Sequence, residues 1–310
     1  MKFEYDLVLG LPHTNHGGLA DHLLLAHAGH FQWTSIARAI GLPLSDLRTL
    51  TGGLVYGTFY FIEERFPPDR PISSFKLDDT LRFGVYLRAF KSMAVEGRIV
   101  FDHAWRVKPT LDLGETWPGD HAVVRHPTIR FGNIFITPER GNSVLRVAPP
   151  ANADFSIIPL LPNEDNPYQV TRSAESLGEL GLFGPEWTRA DVHPTFDVPY
   201  TIDADRDTNG AGLVYFANYI AFMDSAERRA LTGNVASPLA AADVAQRAVV
   251  HRLVAFYGNV DVDDAISTRV ALFTRPDEPR TIGVRTAVSR AQDGRTICLS
   301  EAIKVLPERS

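Results

Sequence analysis

One cysteine stands in 310 residues, and that scarcity removes two classes of structure at once. A lone thiol forms no internal disulfide and builds no zinc cluster. Cys298 sits in Arg295-Thr296-Ile297-Cys298-Leu299-Ser300, an apolar strand-like run, so it is expected in the core as a small hydrophobe rather than as a nucleophile. An excess of positive charge is also missing, since 31 Lys and Arg stand against 37 Asp and Glu for a net charge of −6. With no cationic field to draw polyphosphate, nucleic acid and anionic membrane surfaces are excluded as first partners. No window approaches the roughly 18 uninterrupted apolar residues of a membrane-crossing helix. Met1-Lys2-Phe3-Glu4-Tyr5-Asp6 carries acids where a secretory signal has its apolar stretch, so a cytoplasmic, reducing location is expected. What remains is ordinary: 45% hydrophobic and 22% charged residues supply a folded core and exclude disorder, collagen and coiled coil.

The chain reads as one unit written twice. Thr14-Asn15-His16-Gly17-Gly18-Leu19 is echoed by Thr208-Asn209-Gly210-Ala211-Gly212-Leu213, and Leu77-Asp78-Asp79-Thr80-Leu81 by Val262-Asp263-Asp264-Ala265-Ile266. Glu96-Gly97-Arg98-Ile99-Val100 is echoed in turn by Asp293-Gly294-Arg295-Thr296-Ile297. Matches in the same order point to an internal duplication. Each copy is predicted as a strand, a long helix and then several strands. In the second, Thr195–Ile202 is strand-like, and a helix from Gly212 to Leu231 places Leu213, Phe216, Ile220, Met223 and Ala226 three and four apart. Strands follow at Val249–Tyr257, Ala265–Thr274, Thr281–Arg290 and Thr296–Leu306, with Asp293-Gly294 as a hairpin turn. The first copy offers Phe3–Leu9, a helix from Gly18 into Ile40, and strands near Leu54–Glu63, Phe75–Phe90 and Ile99–Val107. Consecutive antiparallel strands with one helix outside their run make an α+β fold. The expected units are residues 1–137 and 195–310. Between them, 138–194 is a proline-rich connector whose prolines block regular elements and leave an extended segment wrapped along both units.

Asp207-Thr208-Asn209-Gly210-Ala211-Gly212-Leu213-Val214-Tyr215-Phe216-Ala217-Asn218-Tyr219, continuing to Phe222-Met223-Asp224, resembles the helix-opening motif of hotdog-fold acyl-CoA thioesterases of the 4-hydroxybenzoyl-CoA type. That resemblance implies a sheet wrapped around one long helix, with two units pairing to form an acyl-thioester site. A duplicated chain then carries the pair itself, as a double hotdog, and is expected as a monomer or weak homodimer. A second resemblance covers more of the length. His30-Phe31-Gln32-Trp33, Val55-Tyr56-Gly57-Thr58-Phe59-Tyr60-Phe61, Ala148-Pro149-Pro150 and Leu160-Leu161-Pro162 are similar to the bifunctional acyltransferase/decarboxylases of the LnmK type. Those double hotdog enzymes decarboxylate methylmalonyl-CoA and load the propionyl group onto an acyl carrier protein in polyketide-type biosynthesis, and a tyrosine is proposed to bear the acyl group.

The residues also speak for themselves. Gly17-Gly18 and Ala211-Gly212 leave backbone N–H groups unobstructed before each predicted helix, where the positive end of the dipole favours a thioester or enolate oxygen. The same small residues equally serve tight strand-to-helix packing. Asn15 and Asn209 stand where the hydrolase motif has its catalytic aspartate, and an amide hydrogen-bonds but is neither nucleophile nor base. Hydrolysis by the usual hotdog route is disfavoured, although asparagine is also a common helix cap. Tyr56, Thr58 and Tyr60 put hydroxyls side by side on one strand face. The corresponding Leu253-Val254-Ala255-Phe256-Tyr257 lacks the preceding polar pair, which places the working site in the first copy. His13 and His16 flank Asn15 as candidates for holding a substrate carboxylate or moving a proton. His22, His27 and His30 share no clean stripe with carboxylates, so no metal site is expected.

These observations join in an enzyme that decarboxylates a malonyl-type acyl-CoA and passes the acyl group to an acyl carrier protein. Tyr56 is the acyl-bearing or proton-handling hydroxyl, with Tyr60 in reserve. Thr58, Asn15 and the Gly17-Gly18 amides hold the carbonyl, with His16 beside them, while His13, Asn209 and Gly212 belong to substrate binding. Stabilising an enolate needs no metal or organic cofactor, and coenzyme A enters only as the substrate thioester. The alternatives are a hotdog thioesterase or dehydratase using Asp224, Glu227 or His251, and a non-catalytic acyl-thioester-binding protein.

Overall fold

A computed structural model describes residues 1–15, 18–90, 93–106, 125–140, 143–161, 167–190, 196–233 and 241–306. His16 and Gly17 lie outside the described residues. Five strands of the first half, Lys2–Val8, Tyr56–Arg65, Thr80–Phe90, Ala94–His103 and Thr128–Arg140, pair antiparallel in the spatial order first, third, fourth, fifth, second. Phe196–Thr201, Ala248–Phe256, Ala265–Thr274, Thr281–Arg290 and Thr296–Val305 repeat that order. The two second strands pair with each other, from Phe61↔Ala255 to Arg65↔His251, and so fuse both halves into one sheet. Val144–Val147 and Thr188–Arg189 attach beside Thr128–Arg140 and Ala265–Thr274 and bring the sheet to twelve strands.

Each half wraps a long helix, Asp21–Ile40 or Phe216–Thr232. Their buried faces repeat at three and four residues, through Leu24, Leu25, Ala28, Phe31 and Ile36 in one and Phe216, Ala217, Ile220, Met223 and Ala226 in the other. Gly41, left-handed at φ 67°, ends the first helix and donates its N–H to Ala37. Phe59 of the first sheet packs 4.4 Å from the ring of Phe216, so the main core draws on both halves. This is the expected α+β double hotdog. Cys298 is buried in that core.

The duplication is legible down to torsion angles at one match. Among the described residues, Asp78 and Asp263 are the non-glycine residues with positive φ, 68° and 66°. In each copy that aspartate donates its N–H to the end of the first strand, at Leu9 or Ile202, and the next aspartate folds its carboxylate onto an N–H three residues back, at Lys76 or Asp261. The third match is not an equivalence. Asp293-Gly294 forms the turn between the fourth and fifth strands, whereas Glu96-Gly97 lies inside the fourth strand of its own half, where a Cβ on Gly97 would overlap Gln32. The helices also start later than Gly18 and Gly212. Thr14 pairs with Leu19 and Thr208 with Val214 before each helix opens, which makes Ala20 and Tyr215 the N-caps and the second loop one residue longer. The connector is not wholly extended: Tyr168–Leu177 is a helix that begins behind Pro167. No helix of the described residues is long and apolar enough to cross a membrane.

Candidate functional site

Because pairing between the halves stops at Phe61 and Ala255, the stretch from Tyr56 to Tyr60 has one edge paired to Thr128–Arg140 and one bare edge. Between that bare edge and the Phe256–Asn259 segment lies a cleft of about 310 Å³. The start of the Phe216 helix and the side chains of the Tyr168 helix complete its walls. Gly57 and Phe59 face the long helices, where a Cβ on Gly57 would overlap the Trp33 ring. Thr58 and Tyr60 take the other face. Tyr60 is the extra residue of a β-bulge, since Phe59 pairs with Asn133 and Phe61 with the adjacent Gly132. Its ring covers Gly132 and meets Tyr168 edge-on at 5.9 Å. Burial, reinforced by Glu96, raises the Tyr60 pKa, so the group is a phenol that donates a hydrogen bond rather than a phenolate that attacks.

The loop before the Phe216 helix supplies the opposite wall. Asn209 accepts with its side-chain oxygen from Ala211 N–H at 2.9 Å and Leu213 N–H at 3.2 Å, and its backbone oxygen accepts from Gly212 N–H at 2.8 Å. The amides of Ala211 and Gly212 are therefore spent inside the turn and are not open donors. The unpartnered N–H groups are those of Phe216, which lines the cleft, and of Ala217 next to it; neither has a partner among the described residues, at a helix start with no acid in its first turn. Farther in, Tyr219 donates to Asn259 at 3.1 Å, and Asn259 donates to Val214 O at 3.3 Å, which ties the helix to the far wall.

A second cleft, of about 290 Å³, stands at the pseudo-equivalent place beside the Asp21 helix. The thirteenth helix residue lines each cleft, Trp33 in one and Arg228 in the other. Their chemistry differs. Asp21 occupies the first turn here, and Arg252 binds Asp21 at 2.6 Å and Asp224 at 2.8 Å. Lys304 holds Asp224 at 2.9 Å and Glu227 at 2.7 Å, and Arg247 also grips Glu227.

The predicted site residues are thus divided. Thr58, Tyr60 and Asn209 share the first cleft, which Tyr56 does not line, although it lies on the same strand face as Thr58. Asn15 lines the second cleft, apart from Tyr56, Thr58 and Tyr60. His13 accepts from Gly10 N–H and stacks edge-on with His27 at 4.8 Å. Gly18, at φ 106°, packs against the backbone of Ser73 and Phe75, which is the packing role of a small residue. Gly212 is an exposed turn residue at φ 75°. Asp224 and Glu227 belong to the ion network, and His251 binds Glu63 at 3.0 Å, so none of the three lines the hydroxyl cleft. Tyr215, Tyr257 and Asn259 are lining residues that sequence reasoning does not single out. The only hint of them is that Tyr257-Gly258-Asn259 ends a strand whose partner carries the hydroxyls.

No family model and no curated protein matches this sequence. Solved structures do match its shape. A protein described as an oleoyl thioesterase from Lactobacillus plantarum superposes with TM-score 0.65 at 11% identity, covering 99% of this chain and 98% of that one. An acyl-ACP thioesterase from Bacteroides thetaiotaomicron gives TM-score 0.59 at 10% identity over 98% and 97% of the two chains. The 12:0-ACP thioesterase from Umbellularia californica gives 0.59 at 7% identity over 99% and 98%. At such identities the likeness carries the fold and no more: the chain is a double hotdog.

Proposed function

We propose that the protein is an enzyme acting on acyl thioesters, with its working site in the cleft between the Tyr56 strand and the Phe216 helix. The observation that carries this reading is the pair of unpartnered N–H groups at Phe216 and Ala217, at an uncharged helix start beside a hydroxyl-lined cleft. A thioester oxygen that gains negative charge is stabilised there by the amides and the helix dipole together. The thioester is carried by coenzyme A or by an acyl carrier protein.

Two reactions fit. Hydrolysis is favoured by the activities named for the proteins of the same shape, and Glu175 is the one carboxylate of the lining among the described residues. It is exposed and pairs with Arg172 at 3.5 Å. Decarboxylation with acyl transfer, as in the LnmK-type enzymes, is favoured by the makeup of the cleft. Among the described residues its lining holds no histidine or aspartate, while Arg172 and Arg295 offer cations for a malonyl carboxylate and Thr58 and Tyr60 offer hydroxyls for the enolate. The test is to incubate the protein with methylmalonyl-CoA, malonyl-CoA and simple acyl-CoAs, with and without carrier protein, and to follow mass and free thiol. Loss of 44 Da assigns decarboxylation, on the atomic masses of carbon dioxide; free thiol from simple acyl-CoAs assigns hydrolysis; no change in any thioester rejects the enzyme.

Tyr60 is expected to donate, not to carry the acyl group. Tyr60→Phe lowers turnover about 10-fold, the worth of one neutral hydrogen bond, and digestion of quenched reactions yields no acylated Tyr60 peptide. Such an adduct would refute the protonated-phenol assignment.

A further inference from the structure

The outer face of the second half's strands carries a groove of about 670 Å³ beside the acyl cleft. Glu175 and Tyr257 line both, so the two spaces adjoin at these residues. Arg189, Arg269, Arg285 and Arg290 line the groove with Ser267, Ser289 and Thr296. The pleat explains the grouping, because Ser267 and Arg269 stand two apart on one strand and Arg285 and Ser289 stand on one face of its neighbour. Two of the arginines are already committed. Arg285 binds Glu301 at 2.7 Å and Glu179 at 3.1 Å, and Arg290 binds Asp293. Arg189 and Arg269 are exposed and have no ion pair among the described residues. Among the described residues the acids of the lining are Glu175 and Asp197, the cross-strand neighbour of Arg269. At the junction of groove and cleft the hydroxyl of Tyr257 is buried with no hydrogen-bond partner. Burial raises its pKa, so it stands there as a phenol with an unused donor.

We propose that this groove holds the phosphorylated nucleotide end of coenzyme A, with Arg189 and Arg269 on its phosphates and Tyr257 hydrogen-bonding the pantetheine arm where it enters the acyl cleft. Guanidinium forks match phosphate oxygens in pairs, and the serine and threonine hydroxyls supply further donors. Enclosure selects the occupant. A concave space of this volume lies in the range of small-molecule sites, about 300–1,000 Å³, whereas a carrier protein presses a convex face on a rim. The assignment rests on the acyl-thioester reading for the direction of the chain, but its test needs no turnover.

Calorimetric titration of the wild-type protein with coenzyme A and with adenosine 3′,5′-bisphosphate is expected to show binding of both, weakening as salt is raised. Arg189→Glu and Arg269→Glu each weaken both ligands by about 10-fold or more, because a repulsive carboxylate replaces a phosphate contact. Tyr257→Phe weakens coenzyme A by about 3- to 10-fold, one hydrogen bond's worth, and leaves the bisphosphate unchanged. Circular dichroism melts confirm that the variants, two of them at exposed positions, remain folded. No binding of either ligand by the wild type, or unchanged affinity in the Arg189→Glu/Arg269→Glu double variant, overturns the assignment. So does loss of acyl carrier protein binding in Arg269→Glu without any binding of the bisphosphate, which gives the surface to a protein partner. Arginine-dependent binding of coenzyme A with no turnover of any thioester leaves the groove standing and removes only the catalytic reading.

Discussion

Asn209→Ala is expected to lower turnover of the acyl thioester by about 10²-fold, while Asn15→Ala stays within about twofold of the wild type. The two residues are sequence counterparts, yet their surroundings differ. The Asn209 side chain bridges the N–H groups of Ala211 and Leu213 and so fixes the turn that leads to Tyr215 and the open amides of Phe216 and Ala217. Alanine removes both of those bonds, and the donors then no longer sit where charge develops. An error of about 1 Å in their placement is enough for a loss of this order, which corresponds to about 2.7 kcal/mol. Asn15 is exposed beside a helix whose first turn carries Asp21. A carboxylate at that terminus already occupies the positive end of the dipole and repels an oxyanion. The comparison is read as kcat for both variants with thermal melts as controls. A deep loss in Asn15→Ala with Asn209→Ala unaffected would move the working site to the other cleft.

The strands of the second half are legible in the sequence because β-branched and aromatic residues fill them and Asp293-Gly294 marks the turn, and Ala265–Thr274 and Thr281–Arg290 are found at their predicted bounds. Thr128–Arg140 escapes that reading because Gly132 and Pro138 look like breakers. In the fold, Gly132 is the smooth surface on which the Tyr60 ring lies, and Pro138 sits near a register shift at the strand's end, where a missing donor costs little. The helix Tyr168–Leu177 is hidden in the same way among prolines. The site fails to emerge from the sequence for a topological reason. Residues close in the chain, such as His13, Asn15 and Tyr56, belong together only if each half builds its own site. The pairing of Tyr56–Arg65 with Ala248–Phe256 crosses the halves, so the hydroxyls of the first copy meet the loop of the second. The bulge that turns Tyr60 outward depends on a register that no single strand encodes.

The same crossing assembles the buried charges, and Arg252→Met is expected to lower the free energy of unfolding by about 3–5 kcal/mol at pH 7. Arg252 is only 3% exposed and lies between Asp21, Glu64 and Asp224, which come from a helix start, a strand of the first sheet and the second helix. Methionine fills similar space but leaves those acids without their shared cation. The wider cluster sets Asp21, Glu64, Asp224 and Glu227 against Arg247, Arg252 and Lys304, four acids to three bases. Burial and the neighbouring Asp21 raise the Glu64 pKa well above its ordinary 4.5, so the unmatched proton resides there. Asp224 is the opposite case, its pKa lowered by Arg252 and Lys304 against the cost of burial. The signs then follow. Asp224 contributes stability above the ordinary aspartate pKa and loses it as pH falls through its lowered folded value. Glu64 contributes below 4.5, and its contribution is lost as pH rises toward its raised folded value. Glu64→Gln keeps the neutral shape without the ionisation, so in urea titrations its stability relative to the wild type should climb as pH rises above 4.5, with a slope approaching about 1.4 kcal/mol per pH unit, the value of one proton at about 25 °C, until the raised folded value is passed. A flat difference across that range would mean that Glu64 ionises in the folded protein as it does in the unfolded chain, and an Arg252→Met variant as stable as the wild type would mean that the cluster's desolvation cost cancels its attraction.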